Sequence, residues 1–254
     1  MHKPQTDIVG LIPAAGFARR IAPLPCSKEI YPVNINASPS RRVAASCLLE
    51  SMEVAGIEKA YMIIREGKWD IPAYFCNQHT LTIDIAYQVV QATAGVPHTI
   101  DRAYSFVKGK NIVFGFADIL FKPANVFNHL LEKQHKTKAD IVLGLFKAAN
   151  PQKMDMVEIG NDGWVQDIVI KPDDTDLTHT WILAVWNPDF TDFIHTFLSK
   201  DGTANANQEL YLGHIIQQAI EADYKVESLK FTDGLYLDIG TPEDLQKAMN
   251  ISGF

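Results

Sequence analysis

The run Asp7-Ile-Val-Gly-Leu-Ile-Pro13 carries no polar side chain between its ends and leads straight into small residues. A strand that faces water on one side alternates polar with apolar positions. A short, continuously apolar run suits a strand buried on both faces. The same pattern returns at Asp140–Lys147, and strand-like runs occupy Lys59–Arg65, Ile83–Gln91 and Asn111–Asp118. Helical stretches fall between them at Val43–Ala55, stopped by Gly56, and at Thr99–Val107 and Ala124–Lys136. Further on, Met156–Ile159 and Trp164–Ile170 flank the turn Gly160-Asn-Asp-Gly163, a strong local hairpin signal. Trp181–Trp186, Tyr224–Phe231 and Leu235–Ile239 read as strands, and Asp189–Leu198 and Asn207–Ala222 as helices. The last helix opens with Thr241-Pro-Glu-Asp244, where Thr caps, Pro suits the first position and Asp completes a capping box. The alternation predicts an α/β fold, a three-layer α/β/α arrangement with a mixed, mostly parallel sheet. Without a repeat, linker or low-complexity tract, residues 1–254 are expected to form one domain.

A chain of 254 residues can bury one sizeable core. Its 23 Lys+Arg against 30 Asp+Glu give a net charge of −7, and no basic cluster is longer than Arg41-Arg42. That balance excludes nucleic acid as the expected partner. No apolar run approaches the ~20 residues of a membrane span, and no cleavable leader is visible. Three scattered cysteines, Cys26, Cys47 and Cys76, suit reduced thiols and a cytoplasmic setting.

The first strand runs into Pro13-Ala14-Ala15-Gly16-Phe17-Ala18-Arg19-Arg20. Small residues at a strand's carboxyl end let phosphates approach backbone N–H groups, and arginines supply the opposite charge. The segment is neither G-x-G-x-x-G nor a P-loop. By itself it reads equally well as a tight turn with solvated arginines.

The residues that follow add a pattern: Ile12-Pro-Ala-Ala-Gly16, Arg20-Ile-Ala-Pro23, Ser27-Lys28-Glu29 and Pro32-Val33. Together they resemble the N-terminal signature of sugar-1-phosphate nucleotidyltransferases, also called nucleotide-sugar pyrophosphorylases. The opening and the Lys-Glu pair look most like glucose-1-phosphate uridylyltransferases; the Ser-Lys pair also looks like thymidylyltransferases. Phe114-Gly-Phe-Ala-Asp118, Ile168-Val-Ile-Lys171-Pro172 and Asp238-Ile-Gly-Thr241-Pro-Glu-Asp-Leu245 follow in the family's order. The resemblance implies a glycosyltransferase-A-like fold whose residues 1–118 bind nucleotide and whose residues 119–254 bind the acceptor.

It further implies a nucleoside triphosphate (UTP or dTTP) and a sugar 1-phosphate, or another phosphomonoester, as partners. Arg20 and Lys28 would act on the phosphates. Ala14, Ala15, Gly16, Arg19, Gln91 and Gly95 would bind nucleotide, with the Gln91 amide reading the base edge. Lys171, Glu158 and Trp181 would face the acceptor, and Asp118 and Asp238 would hold Mg²⁺. Glu209 matches a helix-start acid of the family. Lys28 is expected in an open phosphate site where its loss leaves folding untouched. All eight histidines are read as structural, and a second copy of the chain is left open as a partner. Departures fall mainly on the sugar side: Ile170 stands where the family has Glu before Lys-Pro, and Ile182 near a sugar-contacting glycine. Two alternatives therefore stand beside the first. One is a cytidylyltransferase for an alcohol phosphate such as phosphocholine. The other, supported by Ala18 and Arg19 where the family's glycine-rich loop has Gly and Thr, is a catalytically silent nucleotide-sugar-binding protein.

Overall fold

The computed structural model describes residues 7–34, 42–77, 81–200 and 210–250. In chain order the first strands are β1 (Ile8–Ala14), β2 (Pro32–Val33), β3 (Arg42–Val43), β4 (Lys59–Arg65), β5 (Asp84–Val90) and β6 (Asn111–Gly115). They are followed by β7 (Ile119–Lys122), β8 (Ile141–Lys147), β9 (Asp155–Ile159), β10 (Val165–Ile170), β11 (His179–Trp186), β12 (Val226–Lys230) and β13 (Leu235–Asp238). The helices are α1 (Ala44–Val54), α2 (Asp70–Phe75), α3 (Val96–Asp101), α4 (Tyr104–Val107), α5 (Val126–Thr137), α6 (Pro188–Lys200), α7 (Leu212–Glu221) and α8 (Pro242–Asn250).

Nine strands form the main sheet, in the order β10-β9-β11-β6-β1-β4-β5, with β8 pairing β11 and β12 pairing β8. The pairs β1–β4, β1–β6, β4–β5 and β8–β12 are parallel. Because β11 is antiparallel to β6, β8 and β9, those three run the same way as β1, and only β10 and β11 oppose it. The sheet is mixed and mostly parallel, as the apolar runs predict. Every residue from Ile141 to Phe146 of β8 is buried, which explains why that run lacks polar alternation. One face is covered by α1, α2, α5 and α8 through Leu48, Ile71, Phe127 and Leu245. The other face is covered by α3, α4, α6 and α7 through Ile100, Val107, Phe190 and Ile215. The result is a three-layer arrangement of helices on both sides of the sheet.

Local signals hold at several element ends. The Gly160–Gly163 turn closes the β9–β10 hairpin, with Gly160 N donating to Trp164 O at 2.8 Å. Asp244 N donates to Thr241 Oγ1 at 3.2 Å, the cap expected of α8, and the Thr241 hydroxyl donates to Asp244 Oδ2 at 2.7 Å. Two expectations are corrected. The run Asn111–Asp118 is not one strand: β6 stops at Gly115, and Asp118 lies in the connection to β7. Thr99–Val107 is two short helices, the first beginning at Val96. The sequence reading also lacks α2, the 3-10 turn at Lys28–Ile30 and the β2–β3 pair. The start of the helix read from Asn207, and Glu209 with it, lie outside the described residues.

Candidate active site at the carboxyl edge of the sheet

Since β1, β4, β5 and β6 are parallel, their last residues Ala14, Arg65, Val90 and Gly115 share one edge of the sheet. Four connections therefore begin there: Ala15–Arg20, Glu66–Trp69, Gln91–Gly95 and Phe116–Asp118. In open α/β sheets ligands bind outside this edge.

A charged cluster sits at its centre. Lys28 Nζ makes an ion pair with Asp118 Oδ2. The small two-stranded sheet of β7 and β13 sets Asp238 opposite Ile119, and Ile239 N donates to Asp118 O at 3.1 Å. Two carboxylates thus arrive together from distant parts of the chain. A Cβ built on Gly240 would lie 3.0 Å from Asp238 Oδ1 and 3.1 Å from the Arg20 guanidinium, which places Arg20 beside the second acid. Burial works against ionised Asp118, but the Lys28 charge outweighs it and holds the carboxyl below its usual range. Burial likewise opposes the Lys28 ammonium, and Asp118 more than compensates, raising it. Asp238 is pushed upward by burial and then by the Asp118 charge. The arrangement offers two cations to a polyanion and a pair of acids that repel each other until a cation lies between them. Lys28 is not in an open site as expected: only 14% of its side chain is exposed, because the ion pair pulls it inward.

Ala14 and Ala15 are buried, and Gly16, Phe17, Arg19 and Arg20 are exposed, so the turn presents its backbone and its guanidinium groups to solvent. The Phe17 ring lies 5.0 Å from the Arg19 guanidinium and 4.5 Å from that of Arg65. Gln91 is exposed just beyond β5. Gly95 has φ +119°, and a Cβ there would come 2.6 Å from Leu210 O, so only glycine fits this crossing of two loops.

The acceptor-side candidates separate. Lys171 follows β10 with a left-handed φ of 43°, rare for a side chain other than glycine or asparagine, and its ammonium lies 3.6 Å from the Tyr211 ring centroid. Trp181 is buried at the start of β11 against Phe114 and Phe116, with no partner for its indole N–H. Glu158 is exposed, opposite Asp167 and toward the hairpin turn, away from Lys171. The acid at the Lys171 end is instead Asp155, which pairs with Ile170 and lies under Gly213 at the start of α7. Burial pushes its carboxyl up to about 6, with only partial relief from Lys171. Of the histidines, His98 is half-buried, with Nδ1 unpartnered, and His214 Nδ1 accepts from Tyr211 N; neither reaches the charged cluster.

Sequence reasoning missed Lys68 and Asp70. Lys68 is 3% exposed and donates to Glu29 Oε1 at 2.6 Å and to Ala14 O at 2.8 Å. Asp70 accepts from Ser27 N at 2.6 Å and from Ser27 Oγ at 2.7 Å. The signal was the charge cluster Glu66-Gly-Lys-Trp-Asp70 directly after a buried strand. Among the described residues no set of three or more His, Cys, Asp or Glu side chains is placed to enclose a metal. The three cysteines are free, and among the described residues no helix is long and apolar enough to cross a membrane.

The chain resembles the low-salt glycan biosynthesis nucleotidyltransferase Agl11 of Haloferax volcanii, 23% identical over 243 residues, 94% of this chain and 64% of that protein. It also resembles the bifunctional protein GlmU of Methanococcus vannielii, 24% identical over 87% of this chain and 51% of that protein. The chain therefore spans about half to just under two-thirds of the length of these curated relatives. Among solved structures, a putative glucose-1-phosphate thymidylyltransferase from Bacillus anthracis matches with a TM-score of 0.81 at 17% identity, covering 97% of each chain. An inositol-1-phosphate CTP transferase from T. maritima matches at 0.73 and 16%, over 93% of this chain and 90% of that one. A UDP-glucose pyrophosphorylase matches at 0.78 and 17%, over 95% and 96%. These likenesses establish the fold. The family profile of nucleotidyl transferases matches residues 9–252, and the chain belongs to that family.

Proposed function

We propose that the chain transfers a nucleotidyl group from a nucleoside triphosphate, UTP or dTTP, to a sugar 1-phosphate and releases pyrophosphate. An oxygen of the acceptor phosphate forms a bond to the α-phosphorus, and the bond from that phosphorus to the β-phosphate bridging oxygen breaks. Both reactants are anions, so positioning and charge neutralisation supply most of the acceleration. The observation that carries this reading is the meeting of Arg20, Lys28, Asp118 and Asp238 at the carboxyl edge.

In this reading the amides following Ala14 and the Arg19 and Arg20 guanidinium groups hold the triphosphate. Lys28 bears on the α-phosphate, where charge develops. Gln91 and Gly95 line the base end, and Lys171 anchors the acceptor phosphate. Asp118 and Asp238 are the residues that would hold Mg²⁺, which takes one or two carboxylates and completes its shell with phosphate oxygens and water. Asp238, raised by burial and then by the neighbouring Asp118 charge, is the feature that suits such an ion. When bound, it supplies neutralisation of the triphosphate charge. The two halves work as one unit, in the cytoplasm, in keeping with the free cysteines.

A second reading is favoured by one observation. A largely buried acid, Asp155, lies with Lys171, near Tyr211, at the acceptor end, a setting that also suits a cationic alcohol phosphate such as phosphocholine. Pyrophosphate release, measured for each nucleoside triphosphate against a panel of phosphomonoesters, separates the readings. UTP or dTTP with a hexose 1-phosphate supports the first, and CTP with phosphocholine the second. Tight nucleotide binding without turnover identifies a silent binding protein.

A further inference from the structure

The Ser27-Lys28-Glu29 segment is too short to fix a lysine by its own backbone hydrogen bonds. Lys28 has four rotatable bonds, and its ammonium must hold one position to act on a single phosphorus. The structure grips the segment from both sides with residues of one neighbouring stretch. On one side Ser27 N and Oγ donate to the two oxygens of Asp70, at 2.6 and 2.7 Å. On the other, Lys68 Nζ donates to Glu29 Oε1 at 2.6 Å. The same ammonium donates to Ala14 O at 2.8 Å, where β1 opens into the small-residue turn. Lys68 and Asp70 follow β4, whose Ile64 is in register with Ala14, so the grip is built on the sheet itself.

Stability alone does not account for this arrangement. A buried ion pair is generally no more stabilising than apolar side chains of the same size. Glu29 is 3% exposed and its Oε2 has no partner, so the carboxylate is only half satisfied. Without Lys68, the buried Glu29 carboxyl would lose its cation, and the adjacent Lys28 ammonium could be drawn into that place. We propose that Lys68 and Asp70 are positioning residues for Lys28: they occupy Glu29 and Ser27 so that the lysine is committed to Asp118 and the phosphate site. The inference rests on the nucleotidyl-transfer reading above.

The test compares wild type with Lys68→Met, Lys68→Arg, Asp70→Asn and Lys68→Met/Glu29→Gln, each assayed below its melting temperature. Lys68→Met should lower kcat by on the order of 10- to 100-fold with both KM values within about threefold of wild type. Removing the competing carboxylate should help: the double variant should recover about tenfold over Lys68→Met. Lys68→Arg and Asp70→Asn should fall between wild type and Lys68→Met, and they carry the test if Lys68→Met does not fold. Folded Lys68→Met with kcat within twofold of wild type, or a double variant no better than the single, would overturn the proposal. So would a change in KM alone. Amide exchange of the 27–31 segment is measured on the same proteins without substrate and should accelerate in Lys68→Met and Asp70→Asn. If wild type turns over no substrate pair, the nucleotidyl-transfer reading fails. The exchange measurement still decides the grip, and unchanged exchange would remove it.

Discussion

The Lys28 ammonium rests on the Asp118 carboxylate, so the basic group of the Ser-Lys-Glu segment and the acid of the strand connection form one unit. Two consequences follow for Lys28→Ala. Turnover should fall by on the order of 10² or more, as expected when a preorganised charge is lost. Folding should also suffer, by about 1–3 kcal/mol at neutral pH, because Asp118 would be left unpaired beside Asp238. Lys28 lowers the folded-state Asp118 value, so its contribution is present above the unfolded carboxyl value. It is lost as pH falls through the depressed folded value. The stability gap between wild type and variant, followed by denaturant titration, should therefore narrow below about pH 4.

Asp118→Asn and Asp238→Asn should each need far more Mg²⁺ to reach half-maximal rate at saturating nucleotide. A magnesium titration of the three proteins reads this directly. Wild type that keeps full activity in EDTA, or variants with unchanged metal dependence, would remove the metal pair from the mechanism.

Lys171→Ala should raise the acceptor KM at least tenfold while the nucleotide KM stays within about twofold, the pattern of a lost ground-state contact to one substrate. Initial rates over a grid of both substrates separate the effects. Equal changes in the two constants would take Lys171 out of the acceptor site.

Asp155 makes a prediction of opposite sign to Asp118. Its folded value of about 6 lies above the unfolded one, so the protonated form is favoured by folding. That contribution is present at low pH and is lost as pH rises through about 6. Asp155→Asn should thus be more stable than wild type at pH 8, by on the order of 2 kcal/mol, and lose that advantage below about pH 4. Thermal melts from pH 4 to 8 check the crossover.

Much of the sheet is legible because burial on two faces writes itself into composition. Lys59–Arg65 is read to the residue, and Asp140–Lys147 to within one. Elsewhere the same signal misleads. Asn111 to Ala117 is apolar after its first residue, so the sequence marks a break only at Asp118, three residues beyond the end of β6 at Gly115. The helix α2 is hidden by its six residues and by Pro72 within them. At the site, the cluster of Arg20, Lys28, Asp118 and Asp238 was legible through the motifs that surround it. Lys68 and Asp70 belong to no such motif, and their role depends on a pairing of β1 with β4 that only three dimensions supply. The resemblance points to Glu158 as the acceptor-side acid. Which acid of the hairpin lies beside Lys171 is a matter of register: Ile170 faces Asp155, and Asp167 faces Glu158.

The pairing of β13 with β7 places Asp238 beside Asp118 at the last strand of the described fold. During synthesis, β1, β4, β5 and β6 can assemble long before that strand leaves the ribosome. The small-residue turn and Asp118 therefore precede the second acid in the chain, and Asp118 O is itself held by Ile239 N from the closing segment. The site gains its second acid only once β13 has joined β7.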